Sequence, residues 1–180
     1  MLKKKLGAEG IERDWSRNRK TVANYFKTCI VGLNSVHFDN TTSAHFNINS
    51  IRVTIREVII TGTEPLPDCI FSSCLELRKA IFRDSIEEIP HGCFQWCHNL
   101  KEVTIPEGVW GIGGRAFYSC WNLKKVVIPE SVESIGEDAF YGCEQAEVIL
   151  RKSVKDIDIG TYAFYECKKI KYYRKRKKRK

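Results

Sequence analysis

The chain has 180 residues, 43% of them hydrophobic, and a formal net charge of +8. This length fits one domain with a substantial core, and the hydrophobic content excludes a wholly disordered chain. No apolar run approaches the ~18 residues needed to span a membrane, and no apolar segment of a secretory signal is visible.

The positive charge is concentrated at the C-terminus. Residues 168–180 hold ten Lys or Arg and no acid, so residues 1–167 carry a net charge of −2. We therefore expect no basic binding face on the folded part of the chain.

Residues 1–44 show no repeat and are assigned to an N-terminal segment. Ile11, Trp15, Val22, Phe26 and Ile30 recur at spacings of four and seven residues, which is typical of one helix face. Because a repeat array needs a cover for its first open edge, we expect a capping helix here.

Strand-like alternation of apolar and polar residues begins near Ile51. Val58, Ile59 and Ile60 continue the apolar character, and a turn signal follows at residues 61–65. We take residues 55–63 as the first, degenerate strand of a repeat array.

From Cys69 onward a period of 23 residues governs the sequence, and periods of about 20–50 residues are typical of solenoids. In the clearest copy, the segment 116–120 (AFYSC) returns as 139–143 (AFYGC). We expect stacked units to bury columns of equivalent residues, because one unit cannot bury its apolar side alone. The columns are Phe71, Phe94, Phe117, Phe140 and Phe164; Leu77, Leu100, Leu123, Ala146 and Ile170; Ile86, Val109, Val132 and Val154; and Ile89, Ile112, Ile135 and Ile157. In the last copy, two extra residues near 158–161 are expected to restore the period.

Five of the eight cysteines form a further column, at spacings of 23, 23, 23 and 24 residues: Cys74, Cys97, Cys120, Cys143 and Cys167. A free cysteine behaves as a small buried hydrophobe. We interpret these residues as reduced core thiols, which predicts an intracellular protein, cytoplasmic or nuclear.

A possible zinc cluster is formed by His91, Cys93, Cys97 and His98. Core packing explains it better, because Cys97 belongs to the cysteine column and Cys93 takes the alanine position of the repeat. We expect no metal and no cofactor. No Ser or Cys has a suitably placed His and acid, so we also expect no enzyme activity and no small-molecule substrate.

The motif I-G-x-x-A-F-x-x-C-x-x-L-x-x-V-x-I-P-x-S-V, matched closely by residues 111–134, resembles the BspA-like leucine-rich repeat. The resemblance covers residues 69–173. It implies a β-rich α/β repeat solenoid, curved, with a parallel concave sheet of about five strands and short helical or extended pieces on the convex side. Many members are cell-surface adhesion or partner-binding proteins. The resulting division is 1–44 N-terminal segment, 45–173 solenoid and 174–180 tail.

Two columns of strand residues are expected on the outer face of this sheet, because side chains alternate along a strand. One alternates in charge, which is either a self-neutralising ladder that fixes the register or a recognition strip: Glu57, Lys79, Glu102, Lys125 and Glu147. The other is mostly apolar: Ile59, Ile81, Thr104, Val127 and Ile149. The apolar column is a partner surface, a face covered by the N-terminal segment, or an ordinary β-branched strand preference.

Aromatic residues accompany the phenylalanine column: Trp96, Tyr118, Trp121, Tyr141 and Tyr165. They predict either packing between turns or a second contact surface, since Trp and Tyr are enriched in binding hot spots.

The chain ends in seven consecutive cations: Arg174, Lys175, Arg176, Lys177, Lys178, Arg179 and Lys180. Such a block repels itself and is expected to be disordered. It is a nuclear import signal or nucleic-acid contact, an anchor to anionic lipid, or a solvated terminus.

We expect a non-enzymatic module that binds a protein partner through its concave strand face. The alternatives are a nucleus- or nucleic-acid-directed protein acting through the basic tail, and a fragment of a cell-surface adhesin.

Overall fold

The structure, a computed structural model, describes residues 35–39, 55–62, 65–84 and 86–172. In these ranges the chain forms a solenoid of short parallel strands arranged in two sheets. The large sheet contains, in spatial order, β1 (Ser35–Asp39), β2 (Glu57–Thr61), β3 (Lys79–Phe82), β5 (Glu102–Thr104), β7 (Lys125–Ile128), β9 (Glu147–Leu150) and β11 (Lys169–Tyr172). The small sheet contains β10 (Asp158–Ile159), β8 (Ser134–Ile135), β6 (Gly111–Ile112) and β4 (Glu88–Ile89).

The core lies between the two sheets and consists of columns that run through successive turns. In β7, Val126 and Ile128 are buried while Lys125 is exposed and Val127 is partly buried, as alternation along a strand requires. The five column phenylalanines stack ring on ring, with centroid separations of 5.4, 5.4, 4.9 and 5.7 Å. The expected β-rich repeat solenoid with a parallel sheet is therefore confirmed.

The tight turn that precedes each of the strands β3, β5, β7, β9 and β11 contains two residues in the left-handed region. They occupy two equivalent columns: Cys69, Gly92, Arg115, Asp138 and Tyr162, and Ser73, Trp96, Ser119, Gly142 and Glu166. A non-glycine residue in this region costs on the order of 1–3 kcal/mol. Hydrogen bonds between turns offset that cost, for example from Phe94 N to Ala116 O (2.7 Å) and from Phe117 N to Ala139 O (2.7 Å).

The large sheet begins one strand earlier than the sequence predicted. Strand β1 pairs in parallel with β2, with Ser35 opposite Glu57, and it lies within the range assigned to the N-terminal segment. Together with β11 it gives a sheet of seven strands instead of about five. The capping helix expected over residues 11–30 lies outside the described residues.

The last turn also departs from the predicted alignment. Ile159, not Ile157, pairs with Ile135, and Val154 is exposed instead of joining a buried column. The extra residues form a 3₁₀ helix, Val154–Asp156, which is capped by the Ser153 hydroxyl oxygen accepting from Lys155 N. The insertion therefore precedes β10, where the predicted alignment placed it at or after this strand.

One further alignment was wrong in this turn. Ile170 was expected in the column of Leu123 and Ala146, but it pairs with Val148. It therefore belongs to the neighbouring buried column, which passes through Val126 and Val148.

Candidate functional site on the large sheet

The predicted apolar column lies along the outer face of the large sheet. The strand register places Ile81 between Ile59 and Thr104 and pairs Val127 with Ile149. The four aliphatic side chains are partly buried, and Thr104 is exposed. At β11 this position is taken by Lys171, so the column ends in a cation. We call these five predicted residues the apolar column.

The predicted charge column also has the expected register. Glu57, Lys79, Glu102, Lys125 and Glu147 follow one another across five strands, and Lys169 continues the alternation in β11. The Lys79 ammonium lies 3.8 Å from a Glu102 carboxylate oxygen. Such an exposed pair contributes little to stability, about 0–1 kcal/mol.

The closest ion-pair partner of Glu147 is not a member of the charge column. Its carboxylate accepts from Lys171 Nζ at 2.7 Å, and this contact holds the pKa of the Glu147 carboxyl below its ordinary value. Among the described column members, one ion pair, Lys79–Glu102, lies within the charge column, so the ladder and the recognition strip both stay predictions.

The other border of the apolar column also carries charged residues. Arg83 and Arg151 are exposed at the carboxyl ends of β3 and β9, and Arg151 Nη1 lies 3.0 Å from a Glu107 oxygen. The outer face thus has a mostly aliphatic centre, with the charge column on one side and two exposed arginines on the other, as in a polar rim around a protein-binding surface.

The cysteine column packs in the core as expected, and its thiols are also hydrogen-bonded. The Sγ atoms of Cys97, Cys120 and Cys143 each donate at 3.1 Å to the carbonyl of a phenylalanine 26 residues earlier. Cys167 repeats the contact at 3.4 Å with Phe140 O. Burial raises the pKa of the Cys120 thiol strongly and that of Cys167 to about 12. Burial therefore favours the neutral form of these thiols.

The possible zinc residues do not converge. Cys93 and Cys97 are fully buried, whereas the His98 ring stacks on Trp121 with centroids 3.9 Å apart. Among the described residues, no three His, Cys, Asp or Glu side chains are grouped so that they could share a metal ion.

The aromatic residues form stacks between successive turns. Tyr141 stacks on Tyr118 and on Tyr165, each with a centroid distance of 5.1 Å. This geometry matches the predicted packing between turns. Even so, Trp96 and Trp121 expose 45% and 46% of their surface.

Sequence reasoning missed a line of cations beside the large sheet. Four exposed cations, which we call the cation row, immediately precede strands of the large sheet: Arg56, Arg78, Lys101 and Lys124. Exposed acids are spread around both sheets: Asp68, Asp84, Glu87, Glu88, Glu102, Glu107, Glu130, Glu133, Glu137, Glu144, Asp156, Asp158 and Glu166. The near-zero net charge of residues 1–167 gave no sign of this row, and the expectation of no basic binding face on the folded part stays a prediction. The signal was available in the sequence as Arg or Lys recurring every 22 or 23 residues.

The seven tail cations at residues 174–180 lie outside the described residues. No helix in the described ranges has the length and apolar character needed to cross a membrane.

Comparison with known proteins identifies the repeat. A family model described as BspA type leucine rich repeat region matches residues 19–147 and 64–178, with six copies. No curated protein sequence matches the chain.

Solved leucine-rich repeat proteins share the fold. One from Bacteroides ovatus is 24% identical and gives a TM-score of 0.61, and the match covers 76% of this chain and 35% of the B. ovatus chain. One from Eubacterium ventriosum is 20% identical, covers 69% and 33%, and gives a TM-score of 0.51. The T. pallidum leucine rich repeat protein is 17% identical, covers 81% and 88%, and gives a TM-score of 0.50.

The chain spans about a third of the length of the first two of these structures. The comparisons give no support to the expected intracellular location, which stays a prediction, as does the cell-surface alternative.

Proposed function

Because the chain belongs to the BspA type leucine-rich repeat family, we propose that it is a non-enzymatic module that binds a protein partner through the outer face of the large sheet. The observation that carries the proposal is the apolar column. It sets Ile59, Ile81, Val127 and Ile149 in partly exposed positions on a rigid sheet.

Physical chemistry favours a partner on this face. Neighbouring strands are about 4.8 Å apart, so Ile59 with Ile81 and Val127 with Ile149 form two aliphatic patches of one strip, on either side of Thr104. Removing apolar surface from water contributes roughly 25 cal/mol per Å², and each partly exposed Ile or Val retains surface to lose. The charge column beside the strip suits a polar rim, which adds orientation more than affinity.

The partner that fits this face has an aliphatic or aromatic ridge flanked by polar groups. A ridge is required because the strip is only one residue wide and runs across the strands. The charges beside it alternate in sign, so a partner with a mixed polar rim fits better than one of uniform charge.

Charge introduced into the strip tests the proposal. In Val127→Glu and Ile149→Glu variants we expect partner capture from an extract of the source organism to fall about 10-fold or more, because a carboxylate would be desolvated against an apolar ridge. Capture is measured by quantitative mass spectrometry on immobilised protein.

The matched control is Val154→Glu. It makes the same substitution at an exposed valine in the 3₁₀ helix, away from the large sheet, and should leave capture unchanged. Loss of capture together with cooperative unfolding in Val127→Glu, or equal capture by all variants, would show that the strip is structural.

The roles suggested for the basic tail and for an adhesin fragment stay predictions. No described residue bears on the tail, and the structural neighbours establish the fold alone.

A further inference from the structure

The cation row has features that packing and partner binding on the apolar column do not explain. Each of its four members is exposed and directly precedes β2, β3, β5 or β7. The row therefore follows the edge of the large sheet where each strand begins, next to the charge column but distinct from it.

Backbone hydrogen bonds place these residues directly above one another in successive turns. Arg78 N donates to Arg56 O at 2.8 Å, Lys101 N to Arg78 O at 2.9 Å, and Lys124 N to Lys101 O at 3.2 Å. With adjacent strands about 4.8 Å apart, the row is a nearly straight line of like charges. Like charges in directly opposed positions destabilise a sheet.

The row is not neutralised by the described part of the protein. Lys79, Arg115, Arg151 and Lys171 each have a carboxylate within 4.0 Å. In the described ranges, no such ion pair involves a member of the cation row, although Glu57 and Glu102 directly follow Arg56 and Lys101 in the chain. Four aligned cations without a carboxylate within 4.0 Å suit an external anionic ligand.

The row is interrupted once and then resumes. Before β9 the equivalent place is taken by buried Ala146, whose carbonyl accepts from Lys169 N. Lys168, Lys169 and Lys171 are exposed around β11. A ligand that follows the row would thus meet further cations at the C-terminal end.

We propose that the cation row binds an acidic polysaccharide, with carboxylate or sulfate groups placed on successive turns. A linear polymer with repeated anionic groups matches a line of cations, whereas a lipid surface presents its charges in a plane. The site adds a ligand class to the proposed protein-binding function. It lies at the edge of the large sheet where the strands begin, outside the apolar column.

The aromatic geometry beside the row favours a polysaccharide over a single-stranded nucleic acid. Nucleic-acid sites of that kind combine cations with aromatic faces on which bases stack. Trp121 is close in sequence to Lys124, but the His98 ring covers one of its faces with an interplanar angle of 1°. In the tyrosine stack, Tyr141 has a neighbouring ring on both sides.

The test compares two full-length variants with the same change in charge. The row variant is Arg78→Gln, Lys101→Gln, Lys124→Gln. The control is Arg83→Gln, Lys152→Gln, Lys155→Gln, three cations outside the row. Both keep the basic tail, so its contribution cancels. Binding of a size-defined heparin oligosaccharide is measured by titration calorimetry at several salt concentrations.

We expect the row variant to lose about 10-fold or more in affinity and the slope of log K against log salt to fall by roughly two to three, as for the loss of three ionic contacts. The control should lose less than about threefold. Equal losses in the two variants overturn the proposal. Row-dependent binding that is tighter to a single-stranded oligonucleotide or to anionic vesicles overturns the polysaccharide assignment.

Folding and the partner surface are checked separately. Removing like charges should leave the melting temperature of the row variant unchanged or higher. If that variant fails to fold, the single Lys101→Gln variant is used instead, and its heparin affinity must fall at least about twofold for the proposal to stand. Val127→Ala changes the apolar column and no member of the cation row, so it should leave the heparin affinity unchanged. Failure of the protein-binding proposal and failure of the polysaccharide proposal can therefore be told apart.

Discussion

At the scale of single residues, the column cysteines act as small apolar side chains that also satisfy a backbone acceptor. The thiols of Cys97, Cys120 and Cys143 donate to carbonyls of the preceding turn, each of which also accepts from the backbone N–H of the column cysteine in its own turn. The 23-residue spacing predicted their burial. It did not predict the hydrogen bond, because the acceptor is positioned by the backbone of the tight turn.

Thiol alkylation tests this assignment. Burial raises the pKa of Cys97, Cys120 and Cys143, so at pH 8 they should be protonated and, in the folded protein, resist iodoacetamide. Partly buried Cys69 should react first among the described cysteines. Peptide mass spectrometry over time, with and without denaturant, measures each rate; comparable native rates for Cys69 and Cys120 would contradict the assignment.

At the scale of the structural element, the turns after the small-sheet strands require glycine for close approach. A Cβ atom at Gly113 would lie 2.5 Å from His91 N, and one at Gly160 would lie 2.5 Å from Glu137 N. The sequence predicted turns here from the repeated glycine. It did not reveal that successive turns stack so closely that no side chain fits between them.

A pair of alanine substitutions separates close approach from general glycine loss. Gly113→Ala should reduce the free energy of unfolding by roughly 2–3 kcal/mol, because backbone atoms must move to admit the methyl group. Gly111→Ala should change it by less than about 1 kcal/mol, since the nearest atom, Glu88 Cγ at 3.2 Å, belongs to a flexible exposed side chain. Urea denaturation followed by circular dichroism measures both, and equal effects would refute the explanation.

Elements were predictable from the sequence where the repeat is regular and less so elsewhere. The strands around Val103, Val126 and Val148 follow from apolar alternation and the 23-residue period. The left-handed residues Trp96 and Ser119 do not, since neither is glycine and hydrogen bonds between turns decide their conformation. The position of the insertion in the last turn was missed because Ile157 and Ile159 fit the apolar pattern equally well.

At the scale of the whole molecule, the solenoid arranges charged and apolar side chains in parallel columns. The cation row borders the large sheet, and the apolar column runs beside the sign-alternating charge column. Columns emerge because each turn repeats the same positions in register. The sequence predicted the two outer columns of the large sheet by residue, but net charge obscured the distribution of cations and acids.

Site-specific photo-crosslinking tests the protein-binding role most directly. A photoreactive phenylalanine analogue at position 127, activated in cells of the source organism, should yield a saturable adduct with another protein. The same group at position 154 should yield none. Adducts of equal intensity at the two positions, or a position-127 adduct confined to residues 1–34 of the same chain, would contradict a partner surface on the large sheet.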